Sequence, residues 1–194
     1  MPTFYRVFPF LPKASPRQPG GALFIPAQGG GRLDNPELYS VLYLSNSPVG
    51  SVAEAFGRFP EWTDALLEGS PSLPGSFRAL ARYQLPDRVE ICNLDDPAQL
   101  VRLHLRPSEI VVRDYTRTRA WAQRIYQQRK WSGVQWWSYY DSQWTSVGLW
   151  DTSKLSLADV EILHLEHPAL LEASRAIARR IVEKRRSKAA GSSQ

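Results

Sequence analysis

The strongest constraint on this chain is the stretch from Gln28 to Phe56, where signals for a loop, a strand and a helix follow one another directly. It opens with the three glycines Gly29–Gly31, followed by one cation, Arg32, and by a predicted turn at Asp34-Asn35-Pro36. The apolar run at 41–44 has the length of a single buried strand. Ser47-Pro48 then combines a capping residue with a proline at the first helical position, which predicts that a helix starts there.

The predicted helix presents one apolar stripe, because positions i, i+3, i+4 and i+7 fall on the same face. The stripe consists of Val49, Val52, Ala53 and Phe56. Glu54 lies about 100° around the helix from Ala53. We therefore expect its carboxylate at the edge of the stripe, where it can reach a cleft without entering the core.

Three side chains of this stretch carry chemistry. The guanidinium of Arg32 suits phosphate or pyrophosphate, and Tyr43 offers a ring for stacking and a hydroxyl for hydrogen bonding. Glu54 can stabilise developing positive charge or position a water. Each also has an ordinary structural interpretation: a solvated loop cation, a core tyrosine and a helix-surface charge.

Composition points to an ordinary globular protein, with 43% hydrophobic and 22% charged residues in 194. We expect one domain at 1–188 and a disordered tail at 189–194. No apolar run approaches the about 20 residues that span a bilayer, and the N-terminus does not resemble a signal peptide. The single cysteine, Cys92, excludes an internal disulfide and is interpreted as a core residue. These features predict a cytoplasmic protein.

The net charge of +5 is concentrated near the C-terminus. Residues 175–188 hold seven basic and one acidic side chain, a net +6, so the remainder of the chain carries a net −1. Nucleic-acid binding needs a basic patch on a folded face, and we consider it the less favoured interpretation of this run. The three histidines have no metal-ligand spacing, so no metal site is predicted.

The remaining segments predict an α+β fold, with short, mostly antiparallel strands in two packed sheets and flanking helices. Residues 12–28 are rich in proline and glycine and predict a loop, a candidate lid over Arg32. Residues 60–75 predict irregular structure, with a short helix at 62–67. The other predicted strands occupy residues 3–10, 77–85, 89–93, 133–137, 146–150 and 160–165. The other predicted helices occupy residues 97–103, 116–130 and 168–181.

Two further polar residues are candidates. Arg6 shares a strand face with Phe4 and Phe8, so it needs a buried carboxylate or an anionic ligand as a partner. Ser138 stands at the end of the strand at 133–137, amid a dense aromatic cluster that suits core packing, ring stacking or a partner surface.

The motifs G-G-R-x-D-N-P, L-Y-L-S and A-E-A-F in residues 30–56 resemble the N-terminal half of the RES domain. The segments at 119–126 and 132–138 resemble its central helix and its glycine-to-serine segment. Many members carry a basic residue soon after the serine, where this chain has Tyr139-Tyr140. An aromatic residue commonly follows the family arginine, where this chain has Leu33. One phosphate or ribose contact is therefore in question.

This resemblance implies a toxin of a bacterial toxin–antitoxin pair that destroys NAD, with a fold related to ADP-ribosyltransferases. Arg32 and Arg6 would bind pyrophosphate, Tyr43 would clamp nicotinamide, Glu54 would lie beneath the ribose, and Ser138 would bind substrate. NAD is then a substrate and no resident cofactor is implied. Water or inorganic phosphate could accept the ADP-ribosyl group.

The resemblance also implies a cognate antitoxin with a helix-turn-helix domain, and it leaves a homodimer open. Two alternatives are retained. One is an ADP-ribosyltransferase that modifies a macromolecule, and the other is a non-catalytic module that binds an antitoxin.

Overall fold

The computed structural model describes residues 1–182 and has the expected α+β class, with a mostly antiparallel sheet and flanking helices. The predicted tail at 189–194 and the last part of the basic run lie outside the described residues. Within residues 1–182, no helix combines the length and the apolar character needed to cross a membrane.

Strands and helices alternate irregularly along the chain. The strands are β1 (Thr3–Phe10), β2 (Leu42–Ser45), β3 (Glu61–Trp62), β4 (Glu68–Ser70), β5 (Leu73–Gln84), β6 (Ile91–Asn93), β7 (Gly133–Trp137), β8 (Thr145–Leu149), β9 (Ser156–Ile162) and β10 (Arg180–Ile181). The helices are α1 (Pro48–Phe56), α2 (Asp64–Leu67), α3 (Pro97–Arg102), α4 (Tyr115–Gln127) and α5 (Pro168–Ala176), and a 3₁₀ turn covers Pro107–Glu109.

The expectation of two packed sheets needs correction. Eight strands form one sheet in the order β4-β5-β1-β2-β8-β7-β6, with β9 also paired to β5. Strands β1 and β2 pair through one position, Tyr5 opposite Ser45, whereas β1 and β5 pair along their whole length from Thr3 to Phe10. The sheet therefore has two halves joined at a single point. A separate small parallel sheet joins β3 and β10.

The predicted start of α1 is confirmed. The Ser47 hydroxyl accepts a hydrogen bond from the Gly50 backbone N–H at 3.2 Å, and Pro48 occupies the first turn. All four residues of the predicted apolar stripe are buried, whereas Glu54 is exposed. Helix α1 packs with α5 over Trp62, which fixes the direction in which Glu54 projects.

The C-terminal helix is shorter than predicted, because it ends at Ala176 rather than near Ile181. Ala178 adopts a left-handed φ of 52°, and the chain then forms β10. Ile177 and Ile181 still pack against the cluster around α1 and α5. Both side chains therefore reach the predicted core, but from a turn and a strand instead of a helix. Helical periodicity alone could not distinguish these two arrangements.

Two other expectations for the core are tested. Cys92 is fully buried, and burial raises the pKa of its thiol to about 11, in agreement with a core role. For the helix at 116–130, the 3.6-residue period predicts Ala120, Trp121, Ile125 and Gln128 on or near one face. Trp121 and Ile125 are buried, whereas Ala120 and Gln128 are exposed.

Candidate active site

A cleft opens where β1 and β2 diverge after their single pairing at Tyr5 and Ser45. Its volume is about 340 Å³, within the range of small-molecule sites. The walls come from both halves of the sheet, from α1 and from the start of α4. The lining residues are Tyr5, Arg6, Val7, Gly31, Arg32, Tyr43, Leu44, Ser45, Ser51, Glu54, Ala55, Tyr115, Trp136, Tyr139 and Ser146.

Glu54 reaches this cleft from α1, as its place at the edge of the stripe predicted. Its Oε1 accepts a hydrogen bond from the Ser138 hydroxyl at 2.5 Å and a longer one from the Ser146 hydroxyl at 3.4 Å. Among the described residues, no cation lies within 4.0 Å of this carboxylate. The negative charge is thus oriented by neutral donors and remains available to the cleft.

Ser138 lies just beyond β7 and is buried, at 4% exposure. Its backbone N–H donates to the Trp144 carbonyl at 2.7 Å, and its hydroxyl oxygen accepts from the Tyr140 N–H at 3.2 Å. The hydroxyl proton is directed at Glu54, and Ser138 is not among the residues that line the cleft. In this structure it contacts the carboxylate, whereas the resemblance implied a contact with substrate.

Arg32 faces Glu54 across the cleft, and the field of that carboxylate reaches its guanidinium. One guanidinium nitrogen, Nη1, donates to the backbone carbonyls of Ile110 at 2.6 Å and Val112 at 3.0 Å. The Tyr115 ring lies 5.5 Å from its Cζ. Burial lowers the pKa of Arg32, but arginine stays charged at neutral pH. Within residues 1–182, Nε and Nη2 make no hydrogen bond, so these donors are free for a ligand.

The glycine loop is organised by Asp34, which the sequence had suggested only as a turn residue. Its Oδ2 accepts from the N–H groups of Gly29 at 2.8 Å and Gly31 at 2.7 Å, while its Oδ1 accepts from the Tyr43 hydroxyl at 2.6 Å. Burial favours the neutral acid, but these three hydrogen bonds outweigh it and lower the pKa of Asp34 below its ordinary value.

Tyr43 holds a structural position beside its place in the cleft. Its hydroxyl donates to Asp34 and accepts from the Leu33 N–H at 2.9 Å. Burial, followed by the hydrogen bond to Asp34, raises the pKa of Tyr43 far above its ordinary value, so the hydroxyl stays protonated. The hydroxyl is therefore already occupied, and the ring is the part that faces the cleft.

Gly31 is required at its position because a Cβ there would lie 2.5 Å from the Tyr43 hydroxyl and 2.6 Å from Asp34 Oδ1. The loop is further held by Arg119 of α4, which donates to the carbonyls of Gly31 at 3.0 Å and Gly29 at 2.6 Å. The Thr118 hydroxyl donates to the Arg32 carbonyl at 2.6 Å. The central helix thus fixes the loop that carries Arg32.

Arg6 also lines the cleft, and the first of its two predicted partners, a buried carboxylate, is absent from the described residues. Its Nη1 donates instead to the carbonyls of Ala22 at 3.3 Å and Phe24 at 2.9 Å. Burial lowers the pKa of Arg6, and nearby Tyr83 partly offsets this. Tyr83 donates to the same Ala22 carbonyl, so the 12–28 loop is attached to β1 and β5.

The 12–28 loop lies beside the cleft rather than over it. Its residues 26–28 border a neighbouring cavity that also touches Arg6, Gly31 and Tyr43. Whether this loop closes as a lid remains a prediction.

Aromatic side chains form part of the cleft. Trp136 and Tyr139 line it from β7 and the following turn, and Tyr115 lines it from α4. Arg113 donates to the Tyr139 hydroxyl at 3.2 Å. A guanidinium from another segment thus lies beside Tyr139.

Four of the five predicted site residues line one cleft: Arg6, Arg32, Tyr43 and Glu54. The fifth, Ser138, does not line the cleft and donates its hydroxyl hydrogen bond to Glu54. Sequence reasoning missed the structural roles of Asp34 and Arg119, although both lie in the motifs that resemble the RES domain. It also missed Ser146, whose strand was predicted without attention to its hydroxyl.

Comparisons with known proteins identify the family and the fold. The RES domain model matches residues 3–172, most of the chain. This chain belongs to the RES domain family. The match covers every predicted site residue. A search of curated proteins finds no match.

A solved structure shares the fold. A chain of the crystal structure of the M. tuberculosis MbcT-MbcA toxin-antitoxin complex superposes with a TM-score of 0.59 at 15% identity. The alignment covers 91% of this RES domain protein and 88% of the solved chain. At this identity the likeness establishes the fold, and the mixed α+β architecture expected from the sequence is confirmed.

Proposed function

We propose that this RES domain protein cleaves the bond between nicotinamide and ribose in NAD. The observation that carries the proposal is the polarity of the cleft. Glu54 lies on one wall without a cationic partner among the described residues, and Arg32 lies on the other wall with two nitrogens free of protein partners.

This polarity suits NAD because its pyrophosphate and its nicotinamide ribose require groups of opposite charge. The pyrophosphate is anionic and requires cations, which Arg32 and Arg6 supply. The ribose becomes positively charged as the glycosidic bond breaks, because such bonds pass through an oxocarbenium-like state. A carboxylate beneath the ribose stabilises that charge, and this is the role proposed for Glu54.

Departure of nicotinamide requires no strong acid in the cleft. The ring nitrogen is cationic in NAD and takes the electron pair of the breaking bond. Nicotinamide therefore leaves as a neutral molecule and needs no proton from the protein. Tyr43 and Trp136 offer apolar ring surface to hold the nicotinamide. Ser138 acts as a positioning residue, because its hydroxyl directs Oε1 of Glu54.

The experiment that tests this proposal follows NAD consumption by the purified protein, with the products separated. We expect free nicotinamide to appear with the wild-type chain and to be lost with Glu54→Gln. ADP-ribose as the second product would identify water as the acceptor, and its phosphorylated form would identify phosphate. Intact NAD under all conditions would overturn the proposal, and labelling of a macromolecule would favour a transferase.

We further propose that a protein partner neutralises this activity as an antitoxin. Support comes from the fold shared with a chain of a toxin–antitoxin complex and from the family to which this chain belongs. The family resemblance implies a partner with a helix-turn-helix domain. Co-expression with a candidate helix-turn-helix protein, followed by purification of the complex and an NAD assay, tests both the partnership and the inhibition.

A further inference from the structure

A second cavity adjoins the active-site cleft on the other side of Glu54. Its volume is about 520 Å³, and it shares Val7, Glu54 and Ala55 with the cleft. The remaining walls come from the end of α1, from α2 with β4, and from β5. They are formed by Phe56, Arg58, Phe59, Ala65, Leu66, Glu68, Gly69, Pro71 and Arg78.

Arg78 of β5 is the unusual member of this wall. Its Nε is buried from solvent and has no hydrogen-bond partner among the described residues. Buried nitrogen donors are almost always satisfied in folded proteins. Burial lowers the pKa of Arg78, and the neighbouring charge of Arg58 lowers it further. The position therefore places a cation where both desolvation and a like charge disfavour it.

Arg58 does not relieve this situation. It follows α1 after the capping residue Gly57, is exposed, and lies with its Cζ 4.6 Å from the centre of the Phe59 ring. Within residues 1–182, neither Arg58 nor Arg78 has a carboxylate within 4.0 Å. Two guanidinium groups thus face one cavity without a counterion from the protein.

The cavity also contains two carboxylates, which limit where an anion can lie. Glu54 accepts hydrogen bonds from Ser138 and Ser146 on the side of the cleft. Glu68 begins β4 and makes no ion pair among the described residues. The charges that act on Arg78 come from Arg58 and not from these acids. An anion is therefore favoured at the arginine end of the cavity.

We propose that Arg58 and Arg78 form a binding site for a phosphate-type oxyanion, either inorganic phosphate or the phosphate group of a small ester. A tetrahedral oxyanion supplies acceptors to several guanidinium donors at once. It would satisfy the buried Nε and separate the two like charges. This site shares no arginine with the cleft around Arg32 and Arg6, and its occupancy does not depend on cleavage of NAD.

Calorimetric titration of the NAD-free protein with inorganic phosphate at constant ionic strength tests the site. We expect saturable binding that weakens at least about tenfold in Arg78→Gln and in Arg58→Gln, because each variant loses a charge-assisted contact. Arg82→Gln is the matched control. Arg82 lies on the same strand but pairs loosely with Asp159 at 3.9 Å outside the cavity, so its removal should leave phosphate affinity unchanged.

Two further titrations sharpen the result. Arg32→Gln should bind phosphate as the wild type does, and a loss confined to Arg32→Gln would place the anion in the active-site cleft and overturn the proposal. Glycerol phosphate in place of inorganic phosphate distinguishes an ester from the free anion, because tighter binding of the ester shows that the cavity accepts its organic part. Equal phosphate affinity in the wild type and Arg78→Gln, or no phosphate binding by the wild type, would also overturn it. Circular dichroism of each variant confirms folding.

Discussion

The two walls of the active-site cleft differ in how firmly the fold holds them. On the wall of the glycine loop, Arg32, Asp34 and Tyr43 are all joined to backbone groups, and Arg119 joins the loop to α4. On the opposite wall, Glu54 is exposed and receives two hydroxyl hydrogen bonds. One wall is part of the structural framework, and the other presents a nearly isolated charge.

This difference separates stability from activity. Removing a group from the loop wall leaves buried partners unsatisfied, which costs folding free energy. Removing the Glu54 charge leaves two hydroxyls that can turn to water or to the substituted side chain. We therefore expect mutations on the loop wall to affect both folding and binding, and mutations of Glu54 to affect the reaction alone.

The largest effect is expected for Glu54→Gln. The amide keeps the shape and can still accept a hydrogen bond from Ser138, but it removes the negative charge beneath the ribose. We expect kcat for NAD cleavage to fall by roughly 10²–10³-fold, as for loss of one group that stabilises transition-state charge. The melting temperature should stay unchanged.

The matched control is Glu172→Gln, which changes an exposed helical glutamate of α5 outside the cleft. It should retain full activity. A Glu54→Gln variant with wild-type turnover would remove the carboxylate from the mechanism and would break the proposed contrast between the walls.

Arg32→Gln should produce the next largest effect and should act on binding. Loss of a charge-assisted contact to pyrophosphate costs about 1.5–3 kcal/mol, so we expect KM for NAD to rise by roughly 10- to 100-fold, with a smaller change in kcat. Steady-state kinetics measure both terms. Arg124→Gln, an exposed arginine of α4 away from the cleft, is the control. Equal KM values for Arg32→Gln and wild type would exclude Arg32 from the pyrophosphate site.

Asp34→Asn tests the structural character of the loop wall. One Oδ accepts from two backbone N–H groups and the other from Tyr43, so an amide must direct its NH₂ at a donor in either orientation. We expect a loss of about 1–3 kcal/mol in the free energy of unfolding. Chemical denaturation measures it, with the exposed Asp159→Asn as the control.

The same variant has a defined pH signature. The pKa of Asp34 is lowered on folding, so its contribution to stability is complete above its unfolded pKa of about 3.9 and is lost as pH falls through the folded value. The stability difference between wild type and Asp34→Asn should be constant above about pH 5 and should shrink below about pH 4. A difference independent of pH down to pH 2 would show that the ionised carboxylate does not stabilise the loop.

Local signals in the sequence predicted α1 and the position of Glu54 well, because capping, proline and the apolar stripe all act within a few residues. They could not predict how β1 and β2 meet. That pairing occurs at one residue pair and depends on contacts between distant segments, so two halves of one sheet resembled two sheets. The helix predicted through Ile181 failed for a related reason, since packing against a distant core overrode periodicity.

The site shows the same division. Residue chemistry identified Arg32, Tyr43 and Glu54, and the fold brings all three to one cleft. What the sequence concealed is how they are supported. Asp34 had the spacing of a turn residue, and nothing in its neighbourhood indicated that it would receive the Tyr43 hydroxyl. Ser146 lies 92 residues from Glu54, so only the register of β8 against β7 and β2 reveals their contact.

Ser138→Ala should give the smallest effect and tests how much orientation the Glu54 wall needs. The variant removes the 2.5 Å hydrogen bond to Oε1 but leaves the longer one from Ser146 and the negative charge itself. We expect kcat to fall about 3- to 10-fold with KM unchanged, because the bond directs a group that acts in the transition state. Ser138→Thr, which retains a hydroxyl, should recover most of the rate. A rise in KM alone would indicate that Ser138 binds substrate directly, and the Glu54 wall would then need no fixed partner to function.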